Sequence, residues 1–456
     1  MRFKGTLLLL IVFAALGGYV YFSDFYHQEE RQKQEDAKKK LFGSEAKDIA
    51  EITLEYDGKT FVGARKGEKD WEITSPSGLE ADSESWEQLA SSFVDIRKDE
   101  IVSAQKTDLA PYGLDKPGIA VKAKLKSGET PGILIGSENP KKTFNYGKRA
   151  DSDEVFLIST STSSAFKKSL TDLRNKKVLD FESDNIDGVR ISASGKPEVE
   201  IQKVGMDWLI KKPMEARADG GEVSSFLSAI QFSRASAFAD EKIDARSSGL
   251  EAPTVKINLH DQKAGTDRTL LFGRSPEKDK YYARDSSRPA IFILAKEIID
   301  KAQSPLFTWR DKSIVALGEG GVSGVDEMDI VGGTEKISLK KAGADWAASD
   351  GRKVQQSKIS DLLNAIQTDR ATSIVDSPKA PGAFGLDKPR LEVVLREKGR
   401  NVAELKFGSD SQNPAGVYLK SGNPPIMTVS KDLYDRLNVK WSDLLEPQPA
   451  PTTPVK

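Results

Sequence analysis

A five-residue phrase recurs three times and restricts the chain to a tandem architecture. It reads Gly113-Leu114-Asp115-Lys116-Pro117, then Gly249-Leu250-Glu251-Ala252-Pro253, then Gly385-Leu386-Asp387-Lys388-Pro389, a constant step of 136 residues (113 to 249 to 385). Self-similarity at a fixed period marks a structural unit repeated along the chain. Within the phrase, glycine tolerates a positive φ, while proline fixes its own φ and pushes the preceding residue out of the helical region. Each copy therefore reads as a helix-to-strand connector, with Leu114, Leu250 and Leu386 as plugs into a core. An apolar strand-like run follows every copy, at 119–125, 255–259 and 391–395.

Other markers keep the same order. Alternating, half-buried strands are predicted at 52–56, 188–192 and 328–331. Trp71, Trp208 and Trp346 then open a third strand in each repeat. A helix follows at 82–94, 221–230 and 357–366, its buried face clearest in Ile359, Leu362, Leu363 and Ile366, with Asp82 and Ser357 as candidate caps. Beyond the phrase, two strands lead to Gly136, Gly273 and Gly408, and Tyr146, Tyr282 and Tyr418 come next. A last strand runs into a second helix that ends near Leu173, Trp309 and Trp441. The tryptophans are expected to anchor small cores, and the glycines to serve turns or bulges. The tyrosines are either packed rings with wet hydroxyls or a binding stripe running through the repeats. The fold class expected is α+β: three tandem homologous domains of mainly antiparallel strands with two helices each, behind an N-terminal transmembrane helix. The repeats are placed at 46–180, 181–315 and 316–446.

The first 22 residues carry that membrane helix. Thr6 to Phe22 is uncharged, the short end of a membrane span, and Arg2 and Lys4 before it favour an N-terminus inside. Tyr19, Tyr21 and Phe22 form an aromatic collar. A cleaved signal peptide, with Ala15 and Gly17 at the small positions, is the competing reading; the apolar run continues past them and favours an anchor. Residues 23–45 read as a polar helical stalk, supported by the i,i+4 pairs Glu29–Lys33 and Glu35–Lys39. Residues 447–456 are rich in proline and read as a disordered tail. The expected location is the inner membrane, single-pass, with the bulk of the chain periplasmic.

Composition narrows the chemistry. With 68 basic and 69 acidic residues the net charge is −1, so no overall field favours nucleic acid. The chain has no cysteine, which excludes disulfides, thiolate metal sites and cysteine nucleophiles. His27 and His260 are its two histidines, too few for a His-rich zinc site. Ser164-Ala165-Phe166-Lys167 matches Ser-x-x-Lys but lacks the partner motifs of penicillin-interacting enzymes, and a capped helix explains it. The glycine-dense stretch 318–324 lacks the Lys-Ser/Thr of a phosphate loop and reads as a linker. Asp115, Glu251 and Asp387 recur in the phrase; backbone capping is favoured over calcium binding, because isolated carboxylates hold calcium weakly. No catalytic, cofactor or metal residues are assigned, and a carboxylate-pair hydrolase is the weakest of the readings.

The anchor, the Trp-x-Ile strand, the helix, the Gly-Leu-Asp-x-Pro loop and the apolar-Gly strand together resemble the bacterial family called domain of unknown function 4340, over about 46–446. Departures are Glu251-Ala252 in the second loop and Ala347-Ala348 after the third tryptophan. The resemblance implies a gliding-associated type of ABC transport complex as partner and supplies no catalytic residues. The expectation is a non-enzymatic, membrane-anchored accessory or scaffold protein; the alternative is a module that binds an envelope polymer such as peptidoglycan or polysaccharide.

Overall fold

The structure, a computed structural model, describes residues 39–446 apart from 240–241, 319, 334, 377–379 and 422–425, together with residues 13, 14, 16–19 and 21, which are helical. The rest of the predicted membrane span, residues 23–38 of the predicted stalk and the tail 447–456 lie outside the described residues. Among the described residues no helix is long and apolar enough to cross a membrane. The chain divides into two compact units. One holds residues up to Val178 with 233–243 and 290–294; the other holds 179–232, 244–289 and 295–456. Both are α+β, and their main sheets are antiparallel.

The first unit is built on an eight-stranded sheet. Its strands are β1 (Ile49–Tyr56), β2 (Lys59–Arg65), β3 (Trp71–Ser75), β4 (Ile101–Ser103), β5 (Ile119–Leu125), β6 (Gly132–Glu138), β7 (Phe144–Arg149) and β8 (Val155–Ser159), in spatial order β3-β2-β1-β5-β6-β7-β8-β4. The apolar run predicted after the first phrase is a strand that alternates: β5 buries Ile119, Val121, Ala123 and Leu125, with Ala120 half-buried and Lys122 and Lys124 exposed between them. Helix α1 (Ser83–Val94) lays Trp86, Leu89, Ala90 and Phe93 on the sheet. Gly63 on β2 makes room for the Trp86 ring, which a Cβ there would meet at 2.4 Å. Asp82 caps α1, accepting from the Ser85 N–H at 3.0 Å. The expected single second helix is two short ones, α2 (Thr160–Ser164) and α3 (Leu170–Leu173), because Ser169 and Asp172 form a capping box that starts a new helix. The same unit contains the short pair β13 (Ala237–Phe238) and β17 (Phe292–Ala295), in register Phe238↔Phe292.

The second unit holds two sheets. One contains β9 (Ile186–Ala193), β10 (Val199–Val204), β11 (Asp207–Lys212), β12 (Ala216–Arg217), β14 (Val255–Asp261), β15 (Thr266–Phe272) and β16 (Lys280–Asp285), in the order β12-β11-β10-β9-β14-β15-β16. Helix α4 (Gly220–Phe232) covers it with Val223, Phe226 and Ile230, beside the short helices α5 (Glu297–Ala302) and α6 (Leu306–Trp309). The last sheet reproduces the first strand for strand: β18 (Glu327–Gly332), β19 (Glu335–Ala342), β20 (Asp345–Ala348), β21 (Ser373–Ile374), β22 (Leu391–Glu397), β23 (Arg400–Gln412), β24 (Ala415–Ser421) and β25 (Met427–Val429) run β20-β19-β18-β22-β23-β24-β25-β21. Its helices are α7 (Gln356–Thr368), α8 (Lys431–Leu437) and α9 (Trp441–Leu444).

Two predicted details are corrected. Helix α7 starts at Gln356 with Gln355 at its cap, so Ser357 lies inside the helix. The Gln356 side chain instead receives the Trp346 N–H at 2.7 Å and donates to the Trp346 carbonyl at 2.8 Å, tying helix to strand. Trp441 opens α9 rather than closing the repeat; the position matching Leu173 and Trp309 is Leu444. Backbone bonds make the match. Leu173, Trp309 and Leu444 carbonyls accept from Asp82, Asp219 and Gln355 N–H groups, at 2.9, 2.8 and 2.8 Å.

The same ladders define how successive repeats join. After the first bond, Asn175, Asp311 and Glu446 donate to Glu80, Arg217 and Lys353. The chain then crosses to the segment behind the next long helix: Ala235 N–H donates to Lys176 O and Ala371 N–H to Lys312 O, both at 2.8 Å. Ahead of the first repeat the same place is taken by residues 39–42, where Leu41 N–H donates to Ile96 O at 2.8 Å. Leu41 and Phe42, assigned by composition to the polar stalk, are buried, and Phe42 stacks on Phe93 with centroids 4.4 Å apart. Two apolar residues with a core to enter outweigh the polar stretch before them.

Candidate functional site

The recurrent glycines are explained by one close approach. Gly113, Gly249 and Gly385 have φ of +63°, +78° and +69°, which turns the loop toward the sheet. The carbonyl before each turn then lies over the glycine of the neighbouring strand. A Cβ at Gly136, Gly273 or Gly408 would stand 2.2, 2.1 or 2.0 Å from the carbonyl oxygen of Tyr112, Ser248 or Phe384. Leu114, Leu250 and Leu386 are buried behind the turn, Pro117, Pro253 and Pro389 are half-buried, and Asp115, Glu251 and Asp387 are exposed. The three acidic side chains bind locally where a bond is present: Asp387 accepts from the Lys388 N–H and Glu251 from Arg246. Among the described residues no cluster of three or more His, Asp or Glu could hold a metal ion.

Two of the three tyrosine markers pack on a ring of their own repeat, and Tyr282 is half-buried on β16. Tyr146 meets Tyr112 at 4.9 Å between centroids, and Tyr418 meets Phe384 at 4.9 Å. Trp71, Trp208 and Trp346 are buried. Trp71 donates from Nε1 to Glu87, which also pairs with Arg65 at 2.8 Å. Ser164 donates its hydroxyl to the Thr160 carbonyl at 2.7 Å, an ordinary helix contact.

A cleft of about 750 Å³ lies in the second unit, around the connector that begins at Arg310. Its floor is apolar, with Met214, Ile314, Val315, Ile374, Val402 and Met427. Arg310 is placed there as the residue that ends α6, and its backbone bridges Ala218. Its side chain is 5% exposed and pairs with Asp376. Around the rim, Arg217 pairs with Asp311 at 3.6 Å and Glu404 with Lys406 at 2.7 Å. Lys420 also lines the cleft and has no ion pair among the described residues. Nothing in the sequence signals this site, since its walls come from segments up to about 200 residues apart, Met214 to Met427.

A second, shallow hollow of about 170 Å³ lies on the outer face of the β9–β10–β14 layer, over Gly188. His260 reaches across it. Its Nδ1 is 2.9 Å from Asp267 and its Nε2 is 4.0 Å from Asp187. The hydrogen bond with Asp267 raises the His260 pKa above the ordinary imidazole value, partial burial opposes this, and the Asp187 and Asp267 charges add to the rise.

Comparison with known proteins identifies one family. Its model, described as a domain of unknown function (DUF4340), matches residues 71–242 and again 208–383, two overlapping copies that together span more than half of the chain. Each match starts at a repeat tryptophan and runs into the following repeat. No curated protein and no solved structure matches. The tandem organisation and the two matches agree, and the chain belongs to the DUF4340 family.

Proposed function

We propose that the protein is a non-enzymatic accessory or scaffold protein, anchored in the inner membrane by residues 1–22 with its sheets in the periplasm, and that it partners an ABC-type transport complex of the gliding-associated kind. The observation that carries a partner-binding role is the cleft at Arg310. It is large, its floor is apolar, and most of its charged groups already neutralise one another, which suits docking of a protein segment better than chemistry on a small substrate. The membrane topology rests on the uncharged run after Arg2 and Lys4, and the choice of partner on the family resemblance. Envelope-polymer binding is the weaker reading, because Tyr146 and Tyr418 spend a face on rings of their own repeat.

The test is to crosslink native membranes, purify the full-length protein in mild detergent and identify what accompanies it by mass spectrometry. Stoichiometric transporter subunits, lost when residues 1–38 are deleted, are the expected result. Recovery of the protein alone or with cell-wall fragments overturns the transporter partnership, and the latter result favours polymer binding.

A further inference from the structure

One cross-strand position is filled alike in two repeats and differently in the other. Glu51 faces Lys124 across β1 and β5, and Glu327 faces Arg396 across β18 and β22, so an acid is set opposite a base. Arg396 pairs there with Glu327 at 3.8 Å and with Asp329 at 2.9 Å. The matching pair on β9 and β14 is Gly188 and His260. Glycine leaves a hollow of about 170 Å³, and the permanent cation is missing. Carboxylates nevertheless stand on both sides of the ring. Asp267 is 2.9 Å from Nδ1, and Asp187 Oδ1 is 4.0 Å from Nε2, too far for a hydrogen bond. That Oδ1 is buried and has no hydrogen-bond partner. Arg190 and Lys212 are engaged with Glu200, at 3.6 and 2.9 Å, and among the described residues no cation other than His260 pairs with Asp187 or Asp267.

We infer that the hollow over Gly188 receives a lysine side chain of the partner protein, whose ammonium takes the place that Lys124 and Arg396 hold in the sister repeats. With Nδ1–H donating to Asp267, a neutral ring turns the Nε2 lone pair toward Asp187. Two acceptors 4.0 Å apart can each lie ~2.8 Å from one ammonium nitrogen, which has three N–H groups to give. The buried Asp187 oxygen then gains the donor that it lacks. A zinc ion at ~2.0–2.1 Å from both atoms would need a nearly linear arrangement, against its tetrahedral preference. Protonation of His260 competes with the lysine, since it removes the lone pair and adds a like charge. The charged groups around the ring are Asp187 and Arg190 on β9, Glu200 on β10, Asp267 on β15 and the adjacent Asp261. This inference rests on the partner-binding reading of the protein and adds a second contact, separate from the cleft.

The test has two arms, both on the full chain. In detergent, Nα-acetyl-lysine methylamide is titrated in as the probe while NMR follows the ring protons of the two histidines, with His27 as internal reference. The expected result is a saturable shift at His260 alone, with affinity roughly tenfold weaker once that ring is protonated. The shift should be absent with the Nε-acetylated probe and lost in Asp187→Asn at an unchanged melting temperature. No shift, an equal shift with the uncharged probe, or a shift that survives Asp187→Asn overturns the inference. So does a larger response to phosphoethanolamine or zinc chloride at the same concentration. In native membranes, a carbodiimide joins carboxylates to amines in contact: the lysine Nζ attacks the activated carboxylate, an amide forms and a urea leaves. Mass spectrometry should find Asp187 or Asp267 joined to a lysine of another protein, and His260→Lys, which copies Lys124, should remove that link. Links only to lysines of this chain or to ethanolamine lipid, or no link, overturn the inference. Transporter subunits captured by general crosslinking without this link leave the scaffold standing and remove the hollow. A probe response with no captured partner removes the scaffold, and with it the partner as the source of the lysine.

Discussion

Three glycines carry the repeat for a reason that the sequence could only suggest. Turn chemistry explained why glycine opens each Gly-Leu phrase, but it could not show that a carbonyl lies against the second set of glycines. That contact joins residues more than 20 positions apart, such as Tyr112 and Gly136. Replacing Gly136 by Ala should therefore be severe. The new Cβ would overlap backbone, which has no flexible end to withdraw, and overpacking of this kind costs about 1–3 kcal/mol. Gly118→Ala is the control, since nothing lies within 4 Å of its Cβ position; a change within roughly 0.5 kcal/mol is expected there. Urea unfolding of the two variants checks the contrast, and equal effects would remove the close-approach explanation. His260 makes a second prediction at this scale. Its pKa is raised by the hydrogen bond with Asp267, so the protonated ring is the stabilised form. Its contribution is complete below the ordinary histidine value and is lost as pH rises through the elevated folded value. Proton NMR should find His260 titrating above an unperturbed histidine, and Asp267→Asn should bring it down. A wild-type value at or below the ordinary histidine value rules the interaction out.

Elements were legible where a period extends over many residues. The β5 strand was readable from its apolar run and the α1 and α7 stripes from three-four spacing, because each presents a whole face to a core. Short elements were not. The edge strands β4, β13 and β21 have two or three residues each, too few for a period, and the connectors at 174–177 and 310–313 are rich in Arg, Lys and Asp, which read as loop. Their structure is carried by backbone pairing, to which the side chains give no clue. Loss of one such bond has a definite cost. Ala371→Pro removes the N–H that binds the Lys312 carbonyl at 2.8 Å in a buried position, and an orphaned buried acceptor costs about 1–3 kcal/mol. Hydrogen exchange should show faster opening around 312–314 in this variant; unchanged protection would mean that the connector is held by other contacts. Asp82→Ala tests the one cap that was legible and is present, with an expected loss of about 1 kcal/mol.

At the scale of the whole molecule, the period in the sequence and the compact units in space do not share boundaries. The 136-residue step implies cuts near 180 and 315, whereas the first unit continues past Val178 into 233–243 and 290–294. The family matches show the same offset, since the first runs from Trp71 to residue 242. The physical cause is in the connector. Arg174 is covered by Phe238, and the Lys176 carbonyl is bound by the Ala235 N–H, so the end of one repeat is finished by residues of the next. A repeat read as a closed domain would leave both groups to solvent. The candidate cleft was hidden for a related reason, because its walls come from segments as far apart as Met214 and Met427. A fragment of residues 39–178 should consequently fold less securely than the same segment within the full chain. Loss of the hydrogen bond and the cation–π contact removes on the order of 1–3 kcal/mol, so amides of β8 should exchange roughly tenfold to a hundredfold faster if their opening is coupled to the unit as a whole. Equal protection of β8 in fragment and full chain would show that the first unit is complete at Val178 and that the later segments only rest against it.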